Sequence, residues 1–141
     1  MNEDGSTKVA TGAIDAFGSA DWSRFRGLLA ADVRYEETGT GRSTVGADAY
    51  LELCQGWKRA FPDAHGIIHR SISSGDTVVQ EILWTGTHEG PLKTPAGEVP
   101  DSGARMEMPA TWWVTLDGEQ IKTIRHHLDV FSMLRQIGAI K

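Results

Sequence analysis

Residues 7–62 carry apolar side chains at intervals of three or four positions, the spacing of one helical face. This pattern predicts three helices. The first can be capped by Ser6 or Thr7, the second by Asp21, and the third begins after Gly46 and ends before Pro62. Their apolar faces consist of Val9, Ala10, Ala13, Ile14 and Phe17, of Trp22, Phe25, Leu28 and Leu29, and of Tyr50, Leu53, Cys54, Trp57 and Phe61. A short strand is predicted over 33–37.

The pattern changes after residue 63, where β-branched and aromatic residues gather in runs of strand length. Strands are predicted over 65–73, 77–88, 105–116 and 120–129, and a loop over 89–103. Gly75-Asp76 and Asp117-Gly118 are turn signals. Phe131, Leu134 and Ile137 indicate a short closing helix. Helices followed by an antiparallel meander predict an α+β fold, in which three helices cover one face of a curved sheet and enclose an apolar pocket.

Composition narrows the class of protein. The length fits a single domain over 1–141. A net charge of -5 without a Lys/Arg cluster argues against nucleic acid or an anionic membrane as partner. No apolar run is long enough to span a bilayer, and the polar segment 1–8 does not resemble a signal peptide. Cys54 is the single cysteine, which excludes an internal disulfide and favours a cytoplasmic location.

The predicted hairpin at Asp117-Gly118 places polar groups in this pocket. If it is a two-residue loop, Leu116 faces Glu119, and continued pairing places Arg125, His127 and Asp129 on the apolar face. That face also carries Met106, Met108, Ala110, Trp112 and Val114. Burial would raise the pKa of Asp129 toward the working pH, as a general acid or base requires.

Two alternatives stay open at this point. A three-residue loop would reverse the faces, and His126 would then point inward. Asp129 and Arg125 could also form a purely structural ion pair.

The other predicted features concern the pocket wall and the histidines. The predicted wall residues are Trp22, Trp57, Trp84, Met106, Met108 and Trp112. Neither His126 with His127 nor His65 with His69 is spaced to chelate one ion on a strand, so no metal site is expected. His88 is interpreted as an anchor of the long loop.

Several motifs occur in an order typical of one family: Phe61-Pro62-Asp63, Gly75-Asp76-Thr77, Trp84-Thr85-Gly86-Thr87-His88, Pro100-Asp101-Ser102-Gly103, Asp117-Gly118, Asp129 and Gln136-Ile137-Gly138. From about residue 7 to 140 the chain resembles the SnoaL-like polyketide cyclases, whose cone-shaped fold is shared with ketosteroid isomerase and nuclear transport factor 2. The resemblance implies ring closure of an aromatic polyketide by an aldol reaction without metal or organic cofactor, with Asp129 as acid/base. Thr123, Arg125 and His127 depart from the family pattern and imply a more polar wall.

The leading hypothesis is therefore a cofactor-independent cyclase or isomerase of a small apolar or aromatic carbonyl compound. Asp129 would move the proton, His127 or Arg125 would bind the enolate oxygen, and the loop 89–103 would act as a lid. An epoxide hydrolase or a hydroxylase is the alternative enzyme, and Arg105 and Glu107 beside Asp129 in the pocket would favour the hydrolase. A ligand-binding module is the non-enzymatic alternative. The resemblance also implies a homodimer, with Trp113 as a contact on the outer face.

Overall fold

The computed structural model describes residues 3–94 and 96–140, and within them the predicted α+β fold is confirmed. The helices are α1 (Glu3–Gly18), α2 (Trp22–Gly27), α3 (Ala47–Ala60) and α4 (Val130–Gln136). The strands are β1 (Leu29–Thr38), β2 (Ser43–Val45), β3 (His65–Ser74), β4 (Thr77–Thr87), β5 (Leu92–Thr94), β6 (Gly97–Val99), β7 (Arg105–Asp117) and β8 (Gln120–Leu128). No helix among the described residues is long and apolar enough to cross a membrane.

Six strands form the main sheet in the order β2-β1-β8-β7-β4-β3. All neighbours are antiparallel except β1 and β8, which run parallel. One face of the long strands packs against the N-terminal helices, and the alternating burial of β7 follows from this two-layer arrangement. β5 and β6 form a separate two-stranded hairpin.

Two local details of the helices differ from the sequence prediction, and a third agrees with it. Helix α1 begins at Glu3, so Ser6 lies inside the helix and is buried rather than serving as a cap. Helix α2 ends at Gly27, and Leu29 already belongs to β1. Asp21 does cap α2, because its carboxylate accepts a hydrogen bond from the Arg24 amide at 3.2 Å.

The long loop carries the hairpin of β5 and β6 and packs against α3. Buried Leu92 anchors it, and Gly90 approaches the Arg59 carbonyl so closely that a Cβ would overlap with that oxygen. His88 fixes the base of the loop, since its Nδ1 accepts a hydrogen bond from the Ser102 amide at 3.2 Å. This geometry fits the predicted anchor. None of the described residues of this loop lines the apolar cavity between the helices and the sheet.

The register of the last hairpin differs from the prediction by three residues. The turn is Gly118-Glu119, so Leu116 pairs with Ile121 instead of Glu119. A shift of two residues alone would leave every side chain of β8 on its predicted face. A bulge at Lys122 then adds one residue, and Trp112 pairs with His126. Because side chains alternate along a strand, the odd total shift exchanges the two faces of β8.

Candidate active site

An apolar cavity lies between α1, α2, α3 and the covered face of the sheet. The volume of this cavity is about 50 Å³. The lining side chains are Ala13, Ile14, Phe17, Phe25, Tyr35, Tyr50, Cys54, Trp57, Phe61, Ala64, Trp84, Met106, Met108, Trp112, His126 and Leu128. Such a wall suits a flat apolar ligand, which would need some of these side chains to move to be accommodated fully.

The six side chains predicted for the wall have different outcomes. The cavity is lined by Trp57, Trp84, Met106, Met108 and Trp112, as predicted. Trp22 is not among the lining residues. It packs edge-on behind the wall, with its ring centroid 5.9 Å from that of Phe17 and 5.8 Å from that of Phe25.

Arg125 and His127 lie on the outer face of the sheet, so their predicted placement in the pocket is wrong. The bulge at Lys122 is the physical reason, because it reverses the alternation of β8. Arg125 Nε lies 3.4 Å from a carboxylate oxygen of Glu36 on the neighbouring strand. His127 is exposed, and its Nδ1 lies 3.2 Å from the Thr38 hydroxyl. Neither side chain can contact a ligand in the cavity in this arrangement.

Asp129 is also outside the cavity, where it caps α4. Its carboxylate accepts hydrogen bonds from the Ser132 amide at 3.1 Å and from the Ser132 hydroxyl at 2.7 Å. These bonds lower the pKa of Asp129, opposite to the predicted rise. Asp129 shares a cleft with Arg105 and Glu107, but this cleft is open to solvent and separate from the apolar cavity. The arrangement that would favour an epoxide hydrolase is therefore not found inside the pocket.

His126 is the imidazole that faces the cavity, as the alternative with exchanged faces predicted, although a bulge and not a three-residue loop exchanges them. It is buried, and both ring nitrogens have partners. The Trp84 indole N–H donates to His126 Nε2 at 3.1 Å. An indole nitrogen can only donate, so Nε2 is the unprotonated nitrogen of the neutral ring and Nδ1 carries the hydrogen. That Nδ1–H donates to the Tyr35 hydroxyl oxygen at 3.0 Å.

The hydrogen-bond chain continues from Tyr35 to a buried carboxylate. The Tyr35 hydroxyl donates to Glu37 Oε2 at 2.6 Å. Glu37 Oε1 accepts from the Thr40 hydroxyl at 2.6 Å and from Arg42 Nε at 2.9 Å. The Trp57 indole N–H donates to Oε2 at 3.2 Å. We call this hydrogen-bonded series of side chains, His126–Tyr35–Glu37, the relay. It connects the cavity with a half-buried arginine.

Burial and charge determine the protonation states of the relay. Burial lowers the pKa of His126 to about 4, although the Glu37 charge opposes this, so the imidazole is neutral at neutral pH. Burial alone would raise the pKa of Glu37, but the Arg42 guanidinium and the hydrogen bonds to the carboxylate hold it below its usual value. Burial also raises the pKa of Tyr35, as does the neighbouring Glu37 charge. The relay thus consists of a neutral imidazole, a neutral phenol and a carboxylate.

The sequence contains a weak signal for Glu37 that the prediction did not use. Val33, Tyr35 and Glu37 alternate along β1, so all three share the covered face. A glutamate in that pattern indicates either the end of the strand or a buried carboxylate with a cation nearby. Arg42, which provides that cation, lies across the turn from β1.

The remaining polar groups do not suggest a metal centre. Among residues 3–94 and 96–140, no three histidine, cysteine or acidic side chains are placed to hold a metal ion. Cys54 lies in the cavity wall, where burial raises the pKa of its thiol and keeps it protonated.

Comparison with solved structures places this fold among proteins of several activities. A candidate SnoaL-like polyketide cyclase from Jannaschia sp. CCS1 is 20% identical, with a TM-score of 0.87 over 99% of this chain and 95% of that chain. A protein of ketosteroid isomerase-like fold from Catenulispora acidiphila, solved with trimethylamine, is 20% identical, with a TM-score of 0.77 over 92% of each chain. An LEH-like epoxide hydrolase from M. tuberculosis is 16% identical, with a TM-score of 0.75 over 96% of this chain and 90% of that chain.

At these identities the structural likeness establishes the fold, and it confirms the predicted cone. No curated protein matches the sequence significantly. The family comparison is more specific, because the profile of SnoaL-like polyketide cyclases matches residues 7–137, nearly the whole chain. The chain therefore belongs to the SnoaL-like polyketide cyclase family.

Proposed function

We propose that this protein is a cofactor-independent cyclase or isomerase that binds an apolar carbonyl compound, such as an aromatic polyketide, in the cavity and moves its proton through His126. The observation that carries the proposal is a neutral imidazole in an aromatic wall, hydrogen-bonded through Tyr35 to the buried carboxylate of Glu37. Asp129, the predicted base, is an exposed helix cap, so His126 takes its place in this proposal.

The first step is removal of a proton from a carbon next to the substrate carbonyl. The hydrogen bond from Trp84 to His126 Nε2 first breaks, and Nε2 then accepts the proton from the substrate. His126 Nδ1 passes its own proton to the Tyr35 hydroxyl. The original hydroxyl proton of Tyr35 moves to Glu37. An imidazole that kept this proton would be a buried cation, which is the form that burial disfavours when it lowers the pKa of His126 to about 4. The relay avoids a cation in an apolar cavity, because the proton ends on a carboxylate.

The released indole N–H of Trp84 provides the second function. It loses its acceptor when Nε2 is protonated, so it is then free to donate to the enolate oxygen. The enolate carbon attacks a second carbonyl in a cyclase, or is reprotonated at another position in an isomerase. The proton returns from His126 Nε2 to the product, and the relay reverts to its starting state.

A mass-spectrometric screen without added cofactor tests this function. The panel contains aromatic polyketide esters, ketosteroids and terpene epoxides, and the proteins are wild type, His126→Gln and Asp129→Asn. We expect an isobaric product from wild type and Asp129→Asn, with turnover reduced about 10²–10⁴-fold in His126→Gln. Loss of turnover in Asp129→Asn with retention in His126→Gln would refute the assignment. A gain of water or of oxygen would instead indicate hydrolase or hydroxylase chemistry.

A ligand-binding module is the second candidate, because the cavity is narrow and the polar atoms of the relay are already paired with one another. Tight binding of an aromatic compound without any product from the wild type would favour this candidate.

We also propose a homodimer through the outer face of the sheet. One cross-strand row on that face consists of Ile72, Val79, Trp113, Arg125 and Glu36. Ile72 on the edge strand β3 is 55% exposed and Trp113 on the inner strand β7 is 48% exposed, so this row presents two large apolar side chains to solvent. Light scattering should give a dimer for wild type and a monomer for Trp113→Lys. A wild-type monomer would exclude this assembly.

A further inference from the structure

The mouth of the cavity can be located from the exposure of its wall. Of the side chains that line the cavity, Trp57 and Leu128 are half-buried, and the others are buried. Trp57 lies on α3 and Leu128 at the end of β8. The wall of the cavity is therefore open to solvent at these two side chains, which we take as its mouth.

The turn between β1 and β2, residues 39–42, spans this mouth, and we call it the strap. At one end, Gly39 packs against β8 and α4, since a Cβ on it would lie 2.8 Å from Val130 Cγ2 and 3.1 Å from the Leu128 carbonyl oxygen. At the other end, the Arg42 guanidinium lies 5.2 Å from the centroid of the Trp57 ring. The strap thus contacts both residues that define the mouth.

Glu37 holds the strap and Trp57 in this position. Its Oε1 accepts hydrogen bonds from Thr40 and Arg42 of the strap, and its Oε2 accepts the Trp57 indole N–H. The same Oε2 accepts the hydroxyl of Tyr35, the middle member of the relay. A single carboxylate therefore joins the reacting group to the entrance.

We propose that Trp57 controls which substrates enter the cavity, with Glu37 and Arg42 as the latch that keeps it closed. This inference rests on the proposed function in so far as the cavity is the substrate site. A substrate enters when the Trp57 indole leaves Glu37 and Arg42, and the latch closes again behind it. The width of the opening, set by the Trp57 ring, would then limit the width of the substrate.

Association rates of two uncharged probes of different width test this inference. 2-Naphthalenemethanol and 9-anthracenemethanol differ by one fused ring, and their binding can be followed by stopped-flow quenching of tryptophan fluorescence. Trp57→Phe keeps an aromatic ring but removes the N–H that donates to Glu37. Trp22→Phe is the matched control, because Trp22 is a half-buried tryptophan outside the cavity wall.

We expect Trp57→Phe to bind both probes about tenfold faster than wild type, the effect of losing one hydrogen bond to a charged group. Arg42→Gln should have a similar effect, and Trp57→Ala should accelerate the three-ring probe more than the two-ring probe. Trp22→Phe and Arg125→Gln should bind at wild-type rates.

Equal rates in wild type, Trp57→Phe and Arg42→Gln would overturn the inference, as would failure of every variant to bind either probe. Because binding is measured without turnover, the result is independent of the catalytic proposal. If the protein forms no product but the association rates of the probes depend on Trp57, the proposed enzymatic activity would be refuted and the role of Trp57 at the entrance would be supported.

Discussion

Neighbouring residues on β7 and β8 lie in opposite environments. Trp112 and His126 pair with each other on the covered face and are buried, whereas Trp113 and Arg125 pair on the outer face and are exposed. The covered pair belongs to the cavity wall, and the outer pair belongs to the row that ends in the Arg125–Glu36 ion pair. The two pairs differ by a single position along each strand, so the parity of the register alone decides which side chains can take part in chemistry.

The two tryptophans give the largest expected contrast in stability. Trp112 is 2% exposed, and its indole N–H donates to Gln80 Oε1 at 2.8 Å. Trp112→Ala should lower the free energy of unfolding by about 4 kcal/mol, because it leaves a large void and an unpaired amide. Trp113→Ala should cost about 1 kcal/mol, since that ring is 48% exposed. Urea unfolding of the two variants measures the difference, and similar losses would contradict the assigned faces.

The buried His126 should make the stability of the fold depend on pH. Burial lowers the pKa of His126 from 6.5 to about 4, so between these values the unfolded chain binds more protons than the folded one. Stability should therefore fall as the pH drops through this window, by up to about 3 kcal/mol from this group. Burial also lowers the pKa of His88, which adds a change of the same sign.

Urea unfolding between pH 4 and 7 checks this dependence. His126→Gln should show a clearly smaller fall in stability than wild type. Equal slopes in wild type and His126→Gln would show that His126 is not buried as a neutral imidazole.

The two ion pairs give the next contrast. The Arg42 side chain is 31% exposed and its partner Glu37 is 0% exposed, whereas both Arg125 and Glu36 are more than half exposed. Arg42→Ala should cost about 2 kcal/mol, less than for a fully buried pair because water reaches the arginine. Arg125→Ala should cost less than about 1 kcal/mol. Adding Glu37→Gln to Arg42→Ala should recover part of the loss, and no recovery would mean that the Glu37 charge is not what Arg42 compensates.

The sequence predicted the fold far better than the site. Each helix or strand is predicted from a pattern that extends over many residues. An error at one residue, such as the cap at Ser6, therefore leaves the elements and their order intact. The identity of the site residues depends on whether the register of β8 against β7 is shifted by an odd or an even number of residues. The error of two residues at the turn had no effect on the faces, whereas the one-residue bulge at Lys122 moved His126 inward and His127 outward. A single lysine in an otherwise regular strand pattern gives no local signal of such a bulge.

Asp129 provides the smallest expected effect and the sharpest distinction between a structural and a catalytic carboxylate. Its hydrogen bonds to Ser132 make it the N-cap of α4, and serine is an equally good capping residue. Asp129→Ala should lower the melting temperature by about 3 °C, and Asp129→Ser should restore most of it. Both variants should keep wild-type turnover per folded molecule, because the carboxylate lies outside the cavity. Calorimetry and the isobaric-product assay together measure the two effects. If Asp129→Ser melted like wild type but lost more than about 100-fold in turnover, Asp129 would be the proton carrier after all, and the cap would have to open for the carboxylate to reach the substrate.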